Sequence, residues 1–162
     1  MTPSDLVPKF LASALNEGCK LSVYRDQHNL PTIGIGHLLT RDEWSSGKIP
    51  IAGVMVKYGQ GITQEQVDTL CLQDVGKAAA AVNDNVAVDL TQYQFDALCL
   101  FAFNVGAGAF KNSTLVRDLN QGRYDEVPDQ MRLWIHVGGE RCGGLVARRE
   151  REITVWEGRF DG

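Results

Sequence analysis

Two carboxylic acids and one hydroxyl near the start of the chain, Glu17, Asp26 and Thr32, have the residue types that hydrolysis of a glycosidic bond requires. One carboxylic acid must protonate the leaving oxygen, while a second carboxylate assists attack on the anomeric carbon or stabilises the cationic sugar. A Thr hydroxyl nearby could hold the attacking water. By their spacing alone, these residues could equally be a helix-end Glu, a turn Asp and a strand Thr without a catalytic role.

A helix followed by a hairpin would bring the two carboxylates face to face. Ser4 is a suitable N-cap, and apolar residues recur at helical spacing until Gly18, which predicts a helix over residues 4–17. Short strands follow on either side of a polar turn at residues 26–29. Glu17 would then lie at the negative end of the helix dipole, which favours its protonated form and suits a general acid.

The rest of the sequence predicts an α+β protein that is mainly helical. Thr40 and Glu43 form a capping box for a short helix. Residues 46–61 carry Gly and Pro and are expected to form an irregular connection. An apolar stripe then predicts a long helix over about 63–82. The later helices are expected at about 91–103, closed by a turn at 106–110, and near 112–121, 124–135 and 144–157.

These elements predict one domain, residues 1–162, with two lobes. The expected parts are a mixed lobe at about 18–62, a bridging helix at about 63–82, and a helical lobe at about 83–162 with the N-terminal helix 4–17. A cleft between the lobes is the natural place for an extended substrate.

Composition excludes several classes of protein. The chain has 162 residues, 44 % of them hydrophobic and 22 % charged, which is typical of a globular domain and not of a disordered chain, a collagen or a coiled coil. A net charge of −4 gives no support to nucleic-acid binding. No stretch approaches the ~20 apolar residues of a membrane helix, so stable membrane insertion is not expected. No large apolar stripe demands a partner, and we expect a monomer.

The four cysteines, Cys19, Cys71, Cys99 and Cys142, lack the spacing of a zinc site. Cys71 and Cys99 fall in apolar helical patterns and are expected to be buried thiols, although a disulfide stays possible. No metal and no cofactor is expected.

The amino-acid sequence of the predicted hairpin segment resembles that of a known family. Residues 17–40 have the sequence EGCKLSVYRDQHNLPTIGIGHLLT, which closely resembles the catalytic hairpin of the phage-type lysozymes, the endolysins of glycoside hydrolase family 24. The family motifs appear as Glu17-Gly18, Tyr24-Arg25-Asp26 and Thr32-Ile33-Gly34-Ile35-Gly36-His37. Residues 95–106, 110–115 and 144–152 resemble later family segments in the same order.

The resemblance implies a muramidase that cuts the β-1,4 bond between N-acetylmuramic acid and N-acetylglucosamine in bacterial peptidoglycan, for host cell lysis. By motif match, Glu17 is the general acid, Asp26 the second carboxylate, and Thr32 positions water. Members of the best-known branch invert configuration, which requires ~6.5–9.5 Å between the two carboxyl groups.

The resemblance also suggests residues around the site. Leu38, Phe103 and Ser113 match positions that line the sugar groove. Three further positions match residues that support the site from nearby: His37 paired with Asp74, and Arg148 beside the catalytic Glu.

Some features depart from the family pattern. Asn104 stands where one well-known branch has Gln, so the family contact at this position is not carried over to Asn104. The loop 136–144 is longer than in the most familiar member, so no substrate contact is carried over from residues 129–141. Residues 1–10 do not resemble a signal peptide or a signal-anchor helix. We therefore expect synthesis in the host cytoplasm and holin-dependent release to the cell wall in the periplasm.

Two other functions fit parts of the sequence. A lytic transglycosylase cleaves the same bond without water, but it needs no water-holding residues such as Asp26 and Thr32. A non-catalytic peptidoglycan-binding protein would not need the full set with Glu17.

Overall fold

Helices dominate the part of the chain that the structure, a computed structural model, describes: residues 1–13 and 20–161. The helices are α1 (Leu6–Ser13), α2 (Arg41–Ser46), α3 (Gln64–Asn85), α4 (Gln92–Val105), α5 (Ala107–Lys111), α6 (Thr114–Asn120), α7 (Val127–Arg132) and α8 (Gly143–Trp156). The strands are β1 (Lys20–Arg25), β2 (Pro31–Gly34), β3 (His37–Leu38), β4 (Lys48–Ile51), β5 (Val54–Lys57), β6 (His136–Val137) and β7 (Glu140–Arg141). The expected mainly helical α+β class is confirmed.

The chain divides into two compact units. The hairpin unit comprises Pro8–Asp74, and the helical unit comprises Met1–Val7 with Val75–Gly162. The boundaries between the units therefore fall inside α1 and inside α3.

In the hairpin unit, β1, β2 and β3 form an antiparallel sheet in that order. Gly34 and Gly36, in the turn from β2 to β3, have φ of 65° and 68°, the left-handed region that glycine adopts without strain. This sheet, the start of α3 and the hairpin of β4 and β5 share one apolar core. Its buried members are Ile33, Leu39, Ile49, Ile51, Tyr58, Ile62, Val67 and Leu70.

The expectation of an irregular connection at 46–61 is wrong, because β4 and β5 pair there as a regular hairpin. Its turn places Ala52 and Gly53 at φ 52° and 77°. The side chain of Gln73 on α3 fixes this turn by accepting from Ala52 N at 2.7 Å and donating to Pro50 O at 3.0 Å. The contact with Gln73 thus stabilises a turn in which Ala52 has a positive φ, a conformation that favours Gly, Asn or Asp.

In the helical unit, α4 is the central element and packs against α8. Residues 95–102 of α4 are all buried, as its apolar sequence predicts. Thr91 caps it with a capping box whose partner is Gln94. Three details differ from the expectations: residues 107–111 form the short helix α5, the segment 124–135 splits into a 3-10 turn and α7, and β6 pairs with β7.

The start of the chain is tied to α4 within the helical unit. Ser4 caps α1, since its Oγ accepts from Leu6 N at 3.2 Å. The same hydroxyl donates to the buried carboxylate of Asp96 at 2.5 Å, and Ser4 N donates to the other Asp96 oxygen at 3.0 Å. The end of the expected helix, residues 14–17, and Gly18 lie outside the described residues.

Two of the cysteines were expected to be buried thiols in helices. Cys71 and Cys99 are indeed buried. Burial, with a smaller effect of the Asp96 charge, raises the pKa of Cys99 to about 12. Cys19 lies outside the described part of the chain. Among the helices described, none combines the length and the apolar character needed to cross a membrane.

Candidate functional site

The side chain of Asp26 is oriented by a tight turn after β1. Its Oδ1 accepts from His28 N at 2.8 Å and from Leu30 N at 2.9 Å. The backbone of Asp26 also donates to Leu30 O and accepts from Asn29 N. Within the described residues Oδ2 has no hydrogen-bond partner, so one carboxylate oxygen is held by the backbone and the other is available.

Thr32 is oriented by the same backbone residue. Its Oγ1 donates to Leu30 O at 3.0 Å, and the residue is buried in the middle strand of the sheet. Leu30 thus holds Asp26 through its N–H and Thr32 through its carbonyl. Because the Thr32 hydroxyl has already donated its hydrogen, its oxygen can only accept from a further molecule.

The register of the sheet brings Leu38 to the same face as Thr32. Tyr24, Thr32 and Leu38 are cross-strand partners and form one row across β1, β2 and β3. Leu38 is 48 % exposed, so this face carries an apolar surface beside the Thr32 position. The third predicted catalytic residue, Glu17, lies outside the described residues.

On the opposite face, His37 is buried between two carboxylates. Its Nδ1 lies 2.7 Å from Asp74 Oδ2, and its Nε2 lies 2.9 Å from Glu43 Oε2. Burial lowers the pKa of His37, but the hydrogen bonds and negative charges of Asp74 and Glu43 outweigh it, and the net pKa is raised above the ordinary 6.5. The imidazolium form can donate to both carboxylates at once.

Glu43 joins this pair to the helix behind it. Its Oε2 also accepts from Thr40 N at 2.9 Å, and Thr40 Oγ1 accepts from Glu43 N, which is the expected capping box. The hydroxyl of Tyr58 donates to Glu43 O at 2.8 Å. His37, Asp74 and Glu43, hereafter the histidine cluster, therefore tie β3, α2 and α3 together.

A second ionic cluster lies on α8 in the helical unit. Arg148 Nε donates to Glu152 Oε1 at 2.9 Å, and Arg149 Nε lies 3.2 Å from Glu152 Oε2. Arg148 also donates to Leu100 O of α4 at 3.3 Å. All three charged side chains are buried, and we name them the arginine cluster. The expected contact between Arg148 and Glu17 falls on a residue outside those described.

The two groove positions predicted in the helical unit differ in their surroundings. Phe103, near the end of α4, is half-buried. Ser113 is buried and is the N-cap of α6: its Oγ accepts from Val116 N at 3.2 Å and donates to Phe110 O at 2.7 Å. Its hydroxyl hydrogen is therefore committed, and a sugar contact of Ser113 stays a prediction.

Comparison with known proteins decides the family. The phage lysozyme family model matches residues 14–152. The chain belongs to the phage lysozyme family. It is 38 % identical to the endolysin of Salmonella phage P22 over 140 residues, covering 86 % of this chain and 88 % of that one. The resemblance seen in the sequence is thus confirmed, and this family member is a glycoside hydrolase.

Solved structures agree with this family assignment. An endolysin from Escherichia coli O157:H7 phage FAHEc1 superposes with a TM-score of 0.74 at 32 % identity, covering 96 % of this chain and 93 % of that one. The muramidase domain of SpmX from Asticaccaulis excentricus gives 0.73 at 29 % identity, covering 94 % and 95 %. No cluster of three or more potential metal ligands occurs in the portion that the structure describes.

Sequence reasoning missed two residues that shape the site of this family member. Leu30 acts through its backbone, which no side-chain motif reveals, although an Asp followed by polar turn residues is a known signal for such a turn. Glu43 was expected only as a helix cap. Its second role, as a carboxylate on His37, depends on the fold of β3 against α2.

Proposed function

We propose that this phage lysozyme hydrolyses the β-1,4 bond between N-acetylmuramic acid and N-acetylglucosamine in bacterial peptidoglycan, and that it acts in host cell lysis. One observation carries the proposal: the backbone of Leu30 orients Asp26 and Thr32 together, at the hairpin where the family motif lies. Family membership supports the choice of a glycosidic bond.

In this proposal Asp26 and Thr32 hold the attacking water. The free Oδ2 of Asp26 accepts one hydrogen of the water, and the Oγ1 of Thr32, whose own hydrogen is bound to Leu30 O, accepts the other. The lone pair of the water is then directed to the anomeric carbon. Asp26 takes the proton as the new bond forms, as in an inverting glycosidase.

Glu17 is proposed as the general acid that protonates the leaving sugar oxygen. Inversion requires its carboxyl group to lie ~6.5–9.5 Å from that of Asp26, which leaves space for the water. Leu38 and Phe103 are each proposed to offer apolar surface to a sugar ring, and Ser113 to contact a sugar. No cofactor enters the reaction. We further propose that the enzyme acts as a monomer, after holin-dependent release from the host cytoplasm to the cell wall.

The test is mass spectrometry of purified peptidoglycan after digestion with the wild-type enzyme. Reducing N-acetylmuramic acid ends are expected, and nuclear magnetic resonance of the fresh product should show the inverted anomer. Anhydro ends would instead assign the protein to the lytic transglycosylases. If the folded protein binds peptidoglycan and releases no product, it is a non-catalytic peptidoglycan-binding protein.

Substitutions test the roles of the three residues. Glu17→Gln is expected to lower kcat by about 10²–10⁴-fold while binding persists, because the general acid is lost. Thr32→Val, which removes the hydroxyl but keeps the shape, should lower kcat, whereas Thr32→Ser should retain activity. Glu65→Gln, at an exposed position of the hairpin unit, is the matched control. Unchanged hydrolysis by Glu17→Gln would contradict the assignment of Glu17.

A further inference from the structure

The outer face of the β4–β5 hairpin carries two lysines opposite each other. Lys48 and Lys57, hereafter the lysine pair, are cross-strand partners, so their side chains share one face of the hairpin. Like charges placed directly opposite each other destabilise a hairpin. Within residues 1–13 and 20–161, neither ammonium group has a hydrogen-bond or ion-pair partner. The lysine pair is therefore open to an anion from outside the chain.

The chain around the lysine pair contains no acidic residue. Residues 44–64 include both lysines and no Asp or Glu, although the whole chain has 20 acidic residues. Glu65, the next residue, lines a groove with Val56, which is on the inner face of the hairpin. On α2, which contacts β4, the exposed Arg41 and Asp42 contribute no net charge. The outer face of the hairpin is therefore locally positive in a chain whose net charge is −4.

Exposed apolar side chains lie around the turn of the same hairpin. Val54, Met55 and Leu72, hereafter the apolar tip, are 62 %, 55 % and 59 % exposed. They are three of the four most exposed large apolar side chains in the described part of the chain. Leu72 belongs to this group because it precedes Gln73, whose side chain binds the turn at Ala52. Apolar side chains exposed next to one another mark an interaction surface.

The spacing between the apolar tip and the lysine pair matches the interface of a lipid bilayer. Met55 and Lys57 are two residues apart on β5 and point to the same face, which separates them by about 7 Å. The headgroup region on each side of a bilayer is about 5–8 Å thick. With the apolar tip at the boundary of the acyl chains, the ammonium groups lie at the level of the lipid phosphates. Peptidoglycan carboxylates would match the lysine pair but not the apolar tip.

We propose that the β4–β5 hairpin docks on an anionic lipid bilayer, with the apolar tip at the acyl boundary and the lysine pair at the phosphates. Gln73 already holds the turn through Ala52 N and Pro50 O, so docking orders little further backbone. Two lysines and three apolar side chains give a reversible, peripheral attachment. This docking is a second activity, separate from the proposed hydrolysis.

The test is co-sedimentation of the wild-type enzyme with vesicles of phosphatidylethanolamine and phosphatidylglycerol, compared with vesicles of phosphatidylcholine. Binding is expected on the anionic vesicles and should weaken as salt rises, because salt screens the lysine pair. Lys48→Gln combined with Lys57→Gln should lower the partition coefficient about 30-fold, since each lysine near an anionic bilayer strengthens binding about fivefold. Lys9→Gln combined with Lys111→Gln, at two exposed positions, makes the same change in net charge and should bind as the wild type does.

The apolar tip is tested separately. Val54→Ser combined with Met55→Ser should lower the partition coefficient on the anionic vesicles by about tenfold or more, because two apolar side chains no longer leave water. Leu133→Ser removes an equally exposed apolar side chain of the helical unit and is the control. Equal binding by these two variants would show that the tip does not enter the bilayer, and the proposal would be wrong.

Other results would assign the lysine pair to a different role. If the Lys48 and Lys57 double variant binds vesicles as its control does, the two lysines only protect the exposed strand edges from pairing with other chains. If that variant keeps its vesicle binding but shows a higher KM for peptidoglycan, the bound anion is a peptidoglycan carboxylate. Either result contradicts docking on a bilayer. Unchanged thermal midpoints show that the variants fold.

The wild-type enzyme keeps this test separate from the proposed function. If wild-type protein binds anionic vesicles and releases no product from peptidoglycan, only the proposed function fails. If it hydrolyses peptidoglycan and binds the anionic vesicles no better than those of phosphatidylcholine, only the proposal about the hairpin fails.

Discussion

Each unit holds a cluster of three charged side chains, and the two clusters have opposite charge patterns. In the histidine cluster, the imidazole of His37 lies between two carboxylates. In the arginine cluster, the carboxylate of Glu152 lies between two guanidinium groups. The central group of the histidine cluster is an imidazole whose pKa is raised above the ordinary 6.5, whereas the central group of the arginine cluster is a carboxylate.

The clusters also differ in what they connect. The charged members of the arginine cluster lie within one turn of α8, and they reach α4 through Leu100 O and Asn104. The histidine cluster joins three elements, and Asp74 is 37 positions from His37. The comparison shows that a buried charge can be paired locally on a helix or can fix the relative placement of several short elements. The following predictions test this difference.

The largest effect is expected for Glu152→Gln. The variant removes the carboxylate that both Arg148 and Arg149 contact, so two buried cations lose their shared partner. Breaking a buried ion pair from one side typically costs about 3–5 kcal/mol in the free energy of unfolding. Urea unfolding at neutral pH measures it. Glu150→Gln, at an exposed position of the same helix, is the control, and equal losses in the two variants would contradict the importance of burial.

Asp74→Asn should have the next largest effect. It leaves His37 with Glu43 as its remaining carboxylate and weakens a charged hydrogen bond, which lowers the free energy of unfolding by about 2 kcal/mol. Asp84→Asn, on the exposed side of the same helix, should change stability little. A double-mutant cycle with His37→Gln checks the pair: zero coupling energy would show that the 2.7 Å contact does not stabilise the fold.

The pH dependence of stability should originate in the histidine cluster. Because the folded pKa of His37 is raised, its stabilising contribution is fully present below the ordinary pKa of 6.5 and is lost as pH rises through the folded value. Urea unfolding between about pH 6 and about pH 9 should show this loss in the wild-type protein. The slope should flatten in Asp74→Asn and persist in Glu152→Gln. A wild-type curve without this slope would remove the assignment.

The smallest effect is expected at the exposed ion pairs of Arg132. This residue contacts Glu150 at 2.7 Å and Asp129 at 3.0 Å, but about half of its side chain is exposed. Exposed pairs contribute about 0.5 kcal/mol and are weakened by salt. Arg132→Gln should therefore alter the thermal midpoint slightly at low salt and not at high salt. A loss comparable to that of Glu152→Gln would show that exposure does not separate the two kinds of pair.

Elements with a local signal could be predicted from the sequence. The capping box at Thr40, the apolar stripe of α3 and the helix at about 91–103 were predicted from neighbouring residues, and the structure contains all three. The hairpin of β4 and β5 could not be predicted in this way, because its turn depends on Gln73, about twenty positions later. The Gly138-Gly139 pair is typical of a two-residue turn, so β6 and β7 had a local signal that was missed.

The candidate site shows the same limit. The motif around Asp26 and Thr32 indicates which side chains to consider, and the hydrogen bond between His37 and Asp74 is present as the resemblance suggests. The sequence could not reveal that Leu30 orients both Asp26 and Thr32, because it does so through backbone N–H and C=O groups that nearly every residue type carries. The second carboxylate on His37 and the contact of Arg149 with Asn104 depend on how separate elements pack.

The role of Leu30 has a consequence for sequence variation. Its contribution is made by the peptide N–H and C=O, while its side chain is exposed. Almost any residue at this position can supply the same two groups, so a saturation library should recover active clones with widely different side chains. Proline is the exception, because it lacks the N–H that Asp26 needs. A hairpin of this kind can therefore diverge at its centre without losing its geometry.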